Sequence, residues 1–231
     1  KIPLQYGIRQ VYGENGGPGG LFHSLRQIPP IIEICEDINL ICPDAVVFNF
    51  SNPMQRICHA VTTKFPDLRF IGLCHEIKSM NRQLPDLMET EMHNIESAGL
   101  NHLSILLEAR YKNTGKDGYP IIKQNFDAYF SDLVNKHDAK PSKPGAERGV
   151  FRKLFKTYGY LPITTDSHLG EYIQWAYSVA DHDAILDFYD NYKEKCLAFY
   201  DNKTSYDHYF DLNNLDTHER VVPIIEGIMS D

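Results

Sequence analysis

The hydrophobic pattern of the first part of the chain alternates between amphipathic segments and short apolar runs. Apolar residues recur at near-helical spacing from Leu21 to Ile38, which predicts a helix that Pro29 and Pro30 should kink or split. The apolar runs "DAVVFNF" and "LRFIGLC" are typical of buried strands. Helical segments follow each of these runs. Strands separated by helices pair in parallel through right-handed crossovers, so the pattern predicts an open α/β sheet.

The second part of the chain begins with strand signals and then becomes helical. The segments "NIESAGLNH" and "SILLEARY" are predicted strands, with a break at Gly99. From about residue 121 onward the apolar spacing predicts helices at 121–137, 146–159, 169–180, 184–200 and 217–231, with a surface loop at 138–145. A largely helical α+β region therefore follows the parallel sheet.

Composition restricts the class of protein. With 231 residues, of which 42% are hydrophobic, the chain can form one substantial core or two lobes. No apolar run reaches the roughly 18 residues of a membrane helix and no signal segment opens the chain, so we expect a cytoplasmic protein without membrane partners. A formal charge of −8 with scattered Lys and Arg argues against nucleic-acid binding. The five cysteines show no CxxC spacing, and we expect reduced thiols.

Polar side chains cluster where three predicted strands end. Open α/β sheets bind ligands outside the carboxyl ends of their strands. Thiolate and imidazole groups hold borderline or soft divalent metals. The sequence therefore indicates one site, with a metal, at these strand ends: Asn49, Asn52, Cys74, His75, Asn101 and His102.

Each of these residues also has an ordinary structural interpretation. A free cysteine such as Cys74 is often a small buried hydrophobe, and His102 could be a hydrogen-bonded core or surface histidine. Asn52, before a proline, could be a helix cap, and "GGPGG" could be a flexible turn. Only the coincidence of these residues at strand ends favours a metal site.

Four segments, in order and spacing, resemble the signature segments of glycoside hydrolase family 4. They are "YGIRQVYGENGGPGGLFHSLRQIP", "FNFSNPM", "GLCHEI" and "AGLNH". A weaker likeness lies in "YGYLPITTDSHLGEY", which resembles the segment that carries the family's general base. Family 4 is the NAD-dependent exception to the two-carboxylate mechanism of most glycosidases.

The resemblance implies a lactate/malate-dehydrogenase-like fold with an incomplete Rossmann-type parallel sheet. Residues 1–75 would be the C-terminal part of the NAD-binding domain, and 76–231 the catalytic, substrate and oligomerisation domain. The family's glycine-rich dinucleotide loop has no counterpart here, and the chain starts at Lys1. We interpret the chain as an internal fragment of a longer enzyme that forms a homo-oligomer, a dimer or tetramer.

The resemblance also implies the chemistry. NAD takes a hydride from C3 of the sugar, a base removes the acidified C2 proton, the glycosidic group leaves by elimination, water adds and the hydride returns. Mn²⁺ or another divalent metal, bound by Cys74 and His102, polarises the sugar oxygens. Asn52 bonds a sugar hydroxyl, His75 belongs to the substrate site, and Asn49 and Asn52 contact the cofactor.

For the base, the resemblance indicates Asp166 or His168, with Tyr172 a further candidate. Asp166 is the first choice because a carboxylate beside a cation stays ionised. It could instead cap the following helix, and His168 could contact metal or substrate. Glu14 resembles a family acidic residue near the sugar, or is a solvated turn carboxylate.

The residues after Cys74 indicate the substrate branch. "CHE" resembles the non-phosphorylated α-glycoside branch, and most closely the α-galacturonidase-like members, with α-glucosidase or α-galactosidase activity also open. Glu76 would repel a uronic carboxylate unless it points away or is paired. Two other classes stay open: a 2-hydroxyacid dehydrogenase, which would need an arginine clamp and a His–Asp pair, and an inactive binding or assembly segment.

Overall fold

A computed structural model describes residues 2–74, 76, 80–136 and 148–201. His75, the predicted loop at 138–145 and the predicted helix at 217–231 lie outside the described residues. The described elements, in chain order, are α1 (Ile2–Gln5), α2 (Gly17–Ile41), β1 (Val46–Asn49), α3 (Met54–Lys64), β2 (Arg69–Gly72), α4 (Met80–Met88), β3 (His93–Leu100), β4 (Leu103–Tyr111), α5 (Tyr119–Lys136), α6 (Gly149–Tyr158), α7 (Asp166–Leu169), a 3₁₀ helix (Gln174–Ser178) and α8 (His182–Asp201).

Strands β1 and β2 form the predicted parallel pair. Their register runs from Val46 opposite Arg69 to Asn49 opposite Gly72. Helices α2 and α3 cover this pair, and Cys35, Ile57, Val61 and Leu68 form the buried core between them. The small parallel sheet predicted from the sequence is confirmed.

Helix α2 continues through Pro29 and Pro30, so the predicted split does not occur. Each proline removes one helical N–H donor. The carbonyls that lose these donors belong to Leu25 and Arg26, which are exposed residues, so water can satisfy them.

Strands β3 and β4 correct the prediction of one parallel sheet. They pair antiparallel in a separate two-stranded sheet, because only Asn101 and His102 connect them and a connection this short permits only a hairpin. Gly99, the predicted break, lies within β3 with φ +138°. His102 adopts φ 61°, the left-handed conformation that lets the chain reverse.

The helical region packs around an aromatic core. Phe126 lies 4.1 Å from Phe155 and 4.7 Å from Phe130, measured between ring centroids, so α5 and α6 share this core. The predicted helix at 169–180 is interrupted. Gly170 follows α7, and a side chain at this position would meet Val11 at 2.6 Å. The segment that carries His168 therefore runs directly against the residues that precede α2.

The chain divides into two compact units, Lys1–Ile185 and Leu186–Asp231. All side chains discussed below belong to the first unit. Among the described residues, no helix combines the length and apolar character needed to span a bilayer.

Candidate active site

The structure brings Cys74 and His102 together, as their predicted common site requires. Cys74 follows β2 by two residues, and its Sγ lies 3.4 Å from Nε2 of His102. His102 comes from the β3–β4 turn rather than from a strand of the parallel sheet. Two separate sheets therefore supply the imidazole and the thiol, and their role as metal ligands stays a prediction.

The imidazole of His102 contacts different groups through its two nitrogens. Nε2 faces Cys74, whereas Nδ1 lies 2.9 Å from Nδ2 of Asn15 and 3.9 Å from Oε2 of Glu14. The side chain is only 2% exposed. Contacts at both nitrogens fix the ring's orientation, as the outer contacts of a metal-binding histidine do.

Glu14, His168 and Glu171 extend the site on the Nδ1 side of His102. Nδ1 of His168 lies 3.1 Å from Oε1 of Glu171 and 3.6 Å from Oε2 of Glu14. The rings of His102 and His168 lie 3.9 Å apart at their centroids. One ligand atom from each of these four residues lies within 4.8 Å of the others, a spacing that one cation could bridge.

The glycine-rich turn before α2 is ordered by Glu171. Oε2 of Glu171 accepts hydrogen bonds from the backbone N–H groups of Asn15 and Gly16, the latter at 2.6 Å. A side chain at Gly16 would meet the carbonyl oxygen of Glu171 at 2.4 Å. The close backbone approach therefore requires glycine at this position, and it holds Glu14 against His168.

The site carries an excess of negative charge. Burial raises the pKa of the Cys74 thiol, hydrogen bonds from the backbone of Glu76 and the side chain of Asn101 oppose this effect, and the charges of Glu76 and Glu14 add to it. Burial lowers the pKa of His168, but the hydrogen bond to Glu171 and the charges of Glu171, Glu76 and Glu14 raise it above the ordinary histidine value overall. A cation placed here would counter both shifts, since bound metals favour thiolate and neutral imidazole.

Two buried acceptors beside the site lack donors. Oδ1 of Asn15 and Oδ1 of Asn101 have no hydrogen-bond partner among the described residues. Asn15 contacts His102, and the side chain of Asn101 hydrogen-bonds Cys74. Buried acceptors normally have partners, so these two atoms, together with the thiol, imidazole and carboxylate groups, fit a site that receives a cation or sugar hydroxyls.

Asp166, the first choice for the base, is the first residue of α7, and its side chain faces the start of α6. Its carboxylate accepts hydrogen bonds from the backbone N–H groups of Val150 and Phe151, both at 2.9 Å. Burial raises its pKa, against the opposing effects of these bonds and of the Arg148 charge. The carboxylate therefore satisfies backbone N–H groups at the start of α6, and not those of α7, the helix that begins at Asp166 itself.

The remaining predicted residues surround the cluster. Nδ2 of Asn52 donates to Oε1 of Glu14 at 3.1 Å, and its Oδ1 accepts from the N–H of Met54, the first residue of α3. Its role toward sugar and cofactor stays a prediction. Asn49 bonds Ser51 at the end of β1. The Tyr172 hydroxyl donates to the carbonyl of Asn101 at 3.2 Å, and burial raises its pKa to about 12.

Glu171 and Asn15 contact the site residues although the sequence alone does not indicate them. Glu171 follows His168 by three residues, a spacing that places two side chains on one face of a helical turn, and this signal could have paired them. No comparable signal marks Asn15, because its contact with His102 joins residues far apart in sequence.

Comparison with known proteins decides the family. Residues 1–90 match the model of the family 4 glycosyl hydrolases, and residues 97–231 match that of the family 4 glycosyl hydrolase C-terminal domain. The chain belongs to glycoside hydrolase family 4. The predicted membership is confirmed, and the segments that carry Cys74 and His102 fall within these two matches.

Relatives span several α-glycosidases. An alpha-glucosidase of Erwinia rhapontici is 45% identical over 100% of this chain and 55% of its own length. An alpha-galacturonidase of Thermoanaerobacter italicus is 34% identical over 74% of this chain and 39% of its own length. The chain thus spans about half the length of these relatives.

A solved structure shares the fold. A 6-phospho-alpha-glucosidase from gut microorganisms, in complex with NAD and Mn²⁺, superposes with a TM-score of 0.58 at 22% identity. The match covers 79% of this chain and 44% of that one. At this identity the likeness concerns the fold alone, a mixed α/β arrangement with a small parallel sheet and mostly helices.

Proposed function

We propose that the complete protein containing this chain hydrolyses α-glycosides through NAD-dependent oxidation at C3, deprotonation at C2 and elimination, with a divalent metal. Residues 1–75 would contribute to the NAD-binding domain and residues from 76 onward to catalysis and homo-oligomer contacts, in a cytoplasmic enzyme with reduced thiols. One observation carries the proposal: in a chain of family 4, Sγ of Cys74 and Nε2 of His102 lie 3.4 Å apart, beside a buried cluster of carboxylates and imidazole.

Cys74 and His102 would hold the metal. Their thiol and imidazole come from elements fixed by backbone pairing, and the negative charges of Glu14 and Glu171 lie nearby. Manganese is the expected ion, because carboxylates and sugar oxygens would balance the softer thiolate. When bound, the metal supplies Lewis-acid polarisation of the sugar oxygens and NAD supplies the hydride acceptor.

Asn52 and Glu14 would position the sugar. They are joined by a 3.1 Å hydrogen bond at the carboxyl end of β1, where open α/β sheets bind their ligands. An amide and a carboxylate side by side can donate to one sugar hydroxyl and accept from another. Asn49, at the same strand end, and Asn52 would also contact the nicotinamide side of the site, and His75 would lie beside the substrate.

His168 is the base that the geometry favours. Its Nδ1 is engaged by Glu171 at 3.1 Å, and a carboxylate in this position orients the ring and stabilises its protonated form after proton transfer, as in other histidine–carboxylate pairs. Asp166 is a weaker candidate because both of its oxygens bond the N-terminus of α6. Tyr172 is weaker still, since its pKa of about 12 keeps it protonated.

The acidic surroundings favour a neutral sugar over a uronic acid. Glu14 and Glu171 belong to the cluster, and Glu76 interacts electrostatically with both Cys74 and His168. A uronic carboxylate would add a further negative charge to this site. We therefore favour α-glucosides, in agreement with the higher identity to the alpha-glucosidase than to the alpha-galacturonidase.

The substrate preference can be measured directly. The complete protein, supplied with NAD and Mn²⁺, should hydrolyse 4-nitrophenyl α-glucoside with kcat/KM roughly 10-fold to 100-fold above that for 4-nitrophenyl α-galacturonide, because like-charge repulsion of 1–3 kcal/mol separates the two. Glu76→Gln should narrow this ratio. An enzyme that prefers the galacturonide would overturn the choice of a neutral sugar.

Cofactor dependence tests the function itself. Hydrolysis of the glucoside should stop when NAD is omitted or when the metal is removed by a chelator, and it should return when both are restored. A conventional two-carboxylate glycosidase would need neither, so hydrolysis that continues without NAD would refute the proposed mechanism.

A further inference from the structure

Asn15, in the turn before α2, is held in place by its backbone. Its N–H group donates to Oε2 of Glu171, and its carbonyl oxygen accepts a hydrogen bond from Nε of Arg56 at 3.0 Å. The residue is 2% exposed. Because both backbone groups are engaged, the terminal amide is the part of Asn15 that can still change its orientation, by rotation about the last side-chain bond.

The amide of Asn15 determines which nitrogen of His102 carries the proton. Nδ2 of Asn15 lies 3.2 Å from Oε2 of Glu14 and 2.9 Å from Nδ1 of His102. An ionised carboxylate only accepts hydrogen bonds, so the amide atom on this side is the nitrogen, which donates. Nδ1 of His102 therefore accepts, and the proton of the neutral ring lies on Nε2, the nitrogen that faces Sγ of Cys74 at 3.4 Å.

A metal bound by Nε2 of His102 needs the opposite arrangement. Nε2 must then offer its lone pair, so the proton of the neutral ring moves to Nδ1, where metal-binding histidines almost always find an acceptor. Oδ1 of Asn15 is buried and has no hydrogen-bond partner among the described residues. Half a turn of the amide exchanges Oδ1 and Nδ2 within the same volume and brings this acceptor to Nδ1.

Glu14 makes the turn of the amide dependent on the metal. The turned amide would present its oxygen to Oε2 of Glu14, across the 3.2 Å that a hydrogen bond spans in the described orientation. Two oxygens that carry negative charge repel each other at that distance. A cation beside Glu14 removes this penalty, because the carboxylate oxygen that loses its donor can bind the cation instead. Oε1 of Glu14 keeps its own donor, Nδ2 of Asn52.

We propose that Asn15 is a positioning residue whose amide turns when the metal binds. In the described orientation its nitrogen holds the proton of His102 on Nε2, and in the metal-bound protein its oxygen holds that proton on Nδ1. This inference rests on the proposed function, in which His102 is a ligand of the metal. The ring stays neutral in both arrangements, and manganese affinity depends on which amide atom Asn15 presents to Nδ1.

Nitrogen NMR of the complete protein with isotope-labelled histidine tests the position of the proton. Zn²⁺ is the probe metal because it is diamagnetic and binds thiolate and imidazole. The signals of His102 are those missing from the spectrum of His102→Gln. After treatment with a chelator, His102 should carry its proton on Nε2, and after addition of Zn²⁺ it should carry the proton on Nδ1. Any other pair of results overturns the proposal.

Asn15→Asp tests the effect on metal binding. Aspartate can only accept, so it should fix the proton of His102 on Nδ1 before the metal arrives and raise manganese affinity, measured by calorimetry. Asn52→Asp is the matched control, because it adds the same charge and removes a donor from the same carboxylate, that of Glu14. The affinity of Asn15→Asp should exceed that of Asn52→Asp by roughly 10-fold to 100-fold, the usual effect of such outer contacts. Equal affinities overturn the proposal.

Activity of the unmodified protein tests the function independently of Asn15. If the protein hydrolyses the glucoside only with NAD and metal, the proposed function stands whichever tautomer His102 shows. If neither Zn²⁺ nor Mn²⁺ binds the unmodified protein, the metal site and the role of Asn15 both fail. Should Asn15→Asp not fold, the NMR spectra of the unmodified protein decide, because they require no change at Asn15.

Discussion

Replacing Cys74 by alanine in the complete protein should reduce glycoside hydrolysis by roughly 10³-fold, because the Lewis-acid contribution of a catalytic metal amounts to several kcal/mol. The thiol is expected to be a direct ligand, and its Sγ already lies 3.4 Å from Nε2 of His102. Manganese affinity, measured by calorimetry on the same variant, should fall together with the rate. His102→Ala should have the same effect on both measurements.

Cys42 provides the matched control for this experiment. It is a free, exposed cysteine at the end of α2, so Cys42→Ala changes the thiol count without touching the site. The manganese affinity and the rate of glycoside hydrolysis of the Cys42→Ala variant should equal those of the unmodified protein. Unchanged manganese binding in Cys74→Ala, combined with loss of binding in Glu14→Gln, would contradict the assignment and move the metal to the cluster on the Nδ1 side of His102.

The convergence of Cys74 and His102 is predictable from the sequence, although His102 does not belong to the parallel sheet. Cys74 follows a strand of the parallel pair, as its apolar run indicates, and ligand-binding residues collect at such ends. The strand pattern predicts His102 at the end of a strand in the same sheet, yet it lies in the turn of an antiparallel hairpin. The sequence indicates that His102 lies near the end of a strand, but the pairing direction of that strand depends on the short connection in which His102 lies.

The roles of Asp166 and Glu171 depend on contacts that local patterns do not contain. Asp166 bonds backbone groups at the start of α6, 15 and 16 residues away in sequence. Glu171 bonds the turn before α2 across 155 and 156 residues. Hydrophobic periodicity and capping signals describe neighbours within a few residues, so an isolated acidic residue gives no indication of which distant backbone groups it will bind.

Deuterium exchange at C2 of the sugar distinguishes His168 from Asp166 as the base. The same exchange also distinguishes elimination from direct hydrolysis. The unmodified complete protein, turning over an α-glucoside in deuterated water, should release glucose that carries deuterium at C2, because the proton removed there is replaced from solvent. His168→Asn keeps a donor near the Nδ1 position for Glu171 but has no basic nitrogen. It should lower turnover and C2 exchange by 10²-fold to 10⁴-fold, roughly the contribution of a general base, while substrate still reduces bound NAD, since the C3 oxidation precedes the proton transfer.

Asp166→Asn is the informative comparison. Its amide nitrogen cannot accept a hydrogen bond, so the N–H of Val150 or Phe151 loses a buried partner, at a cost of about 1–3 kcal/mol in the free energy of unfolding. Thermal unfolding should therefore move to lower temperature, whereas the ratio of C2 exchange to turnover should stay that of the unmodified protein. Severe loss of exchange in Asp166→Asn with normal exchange in His168→Asn would restore Asp166 as the base. Glucose without deuterium at C2 would exclude the elimination, because a direct displacement at the anomeric carbon never breaks the C2–H bond.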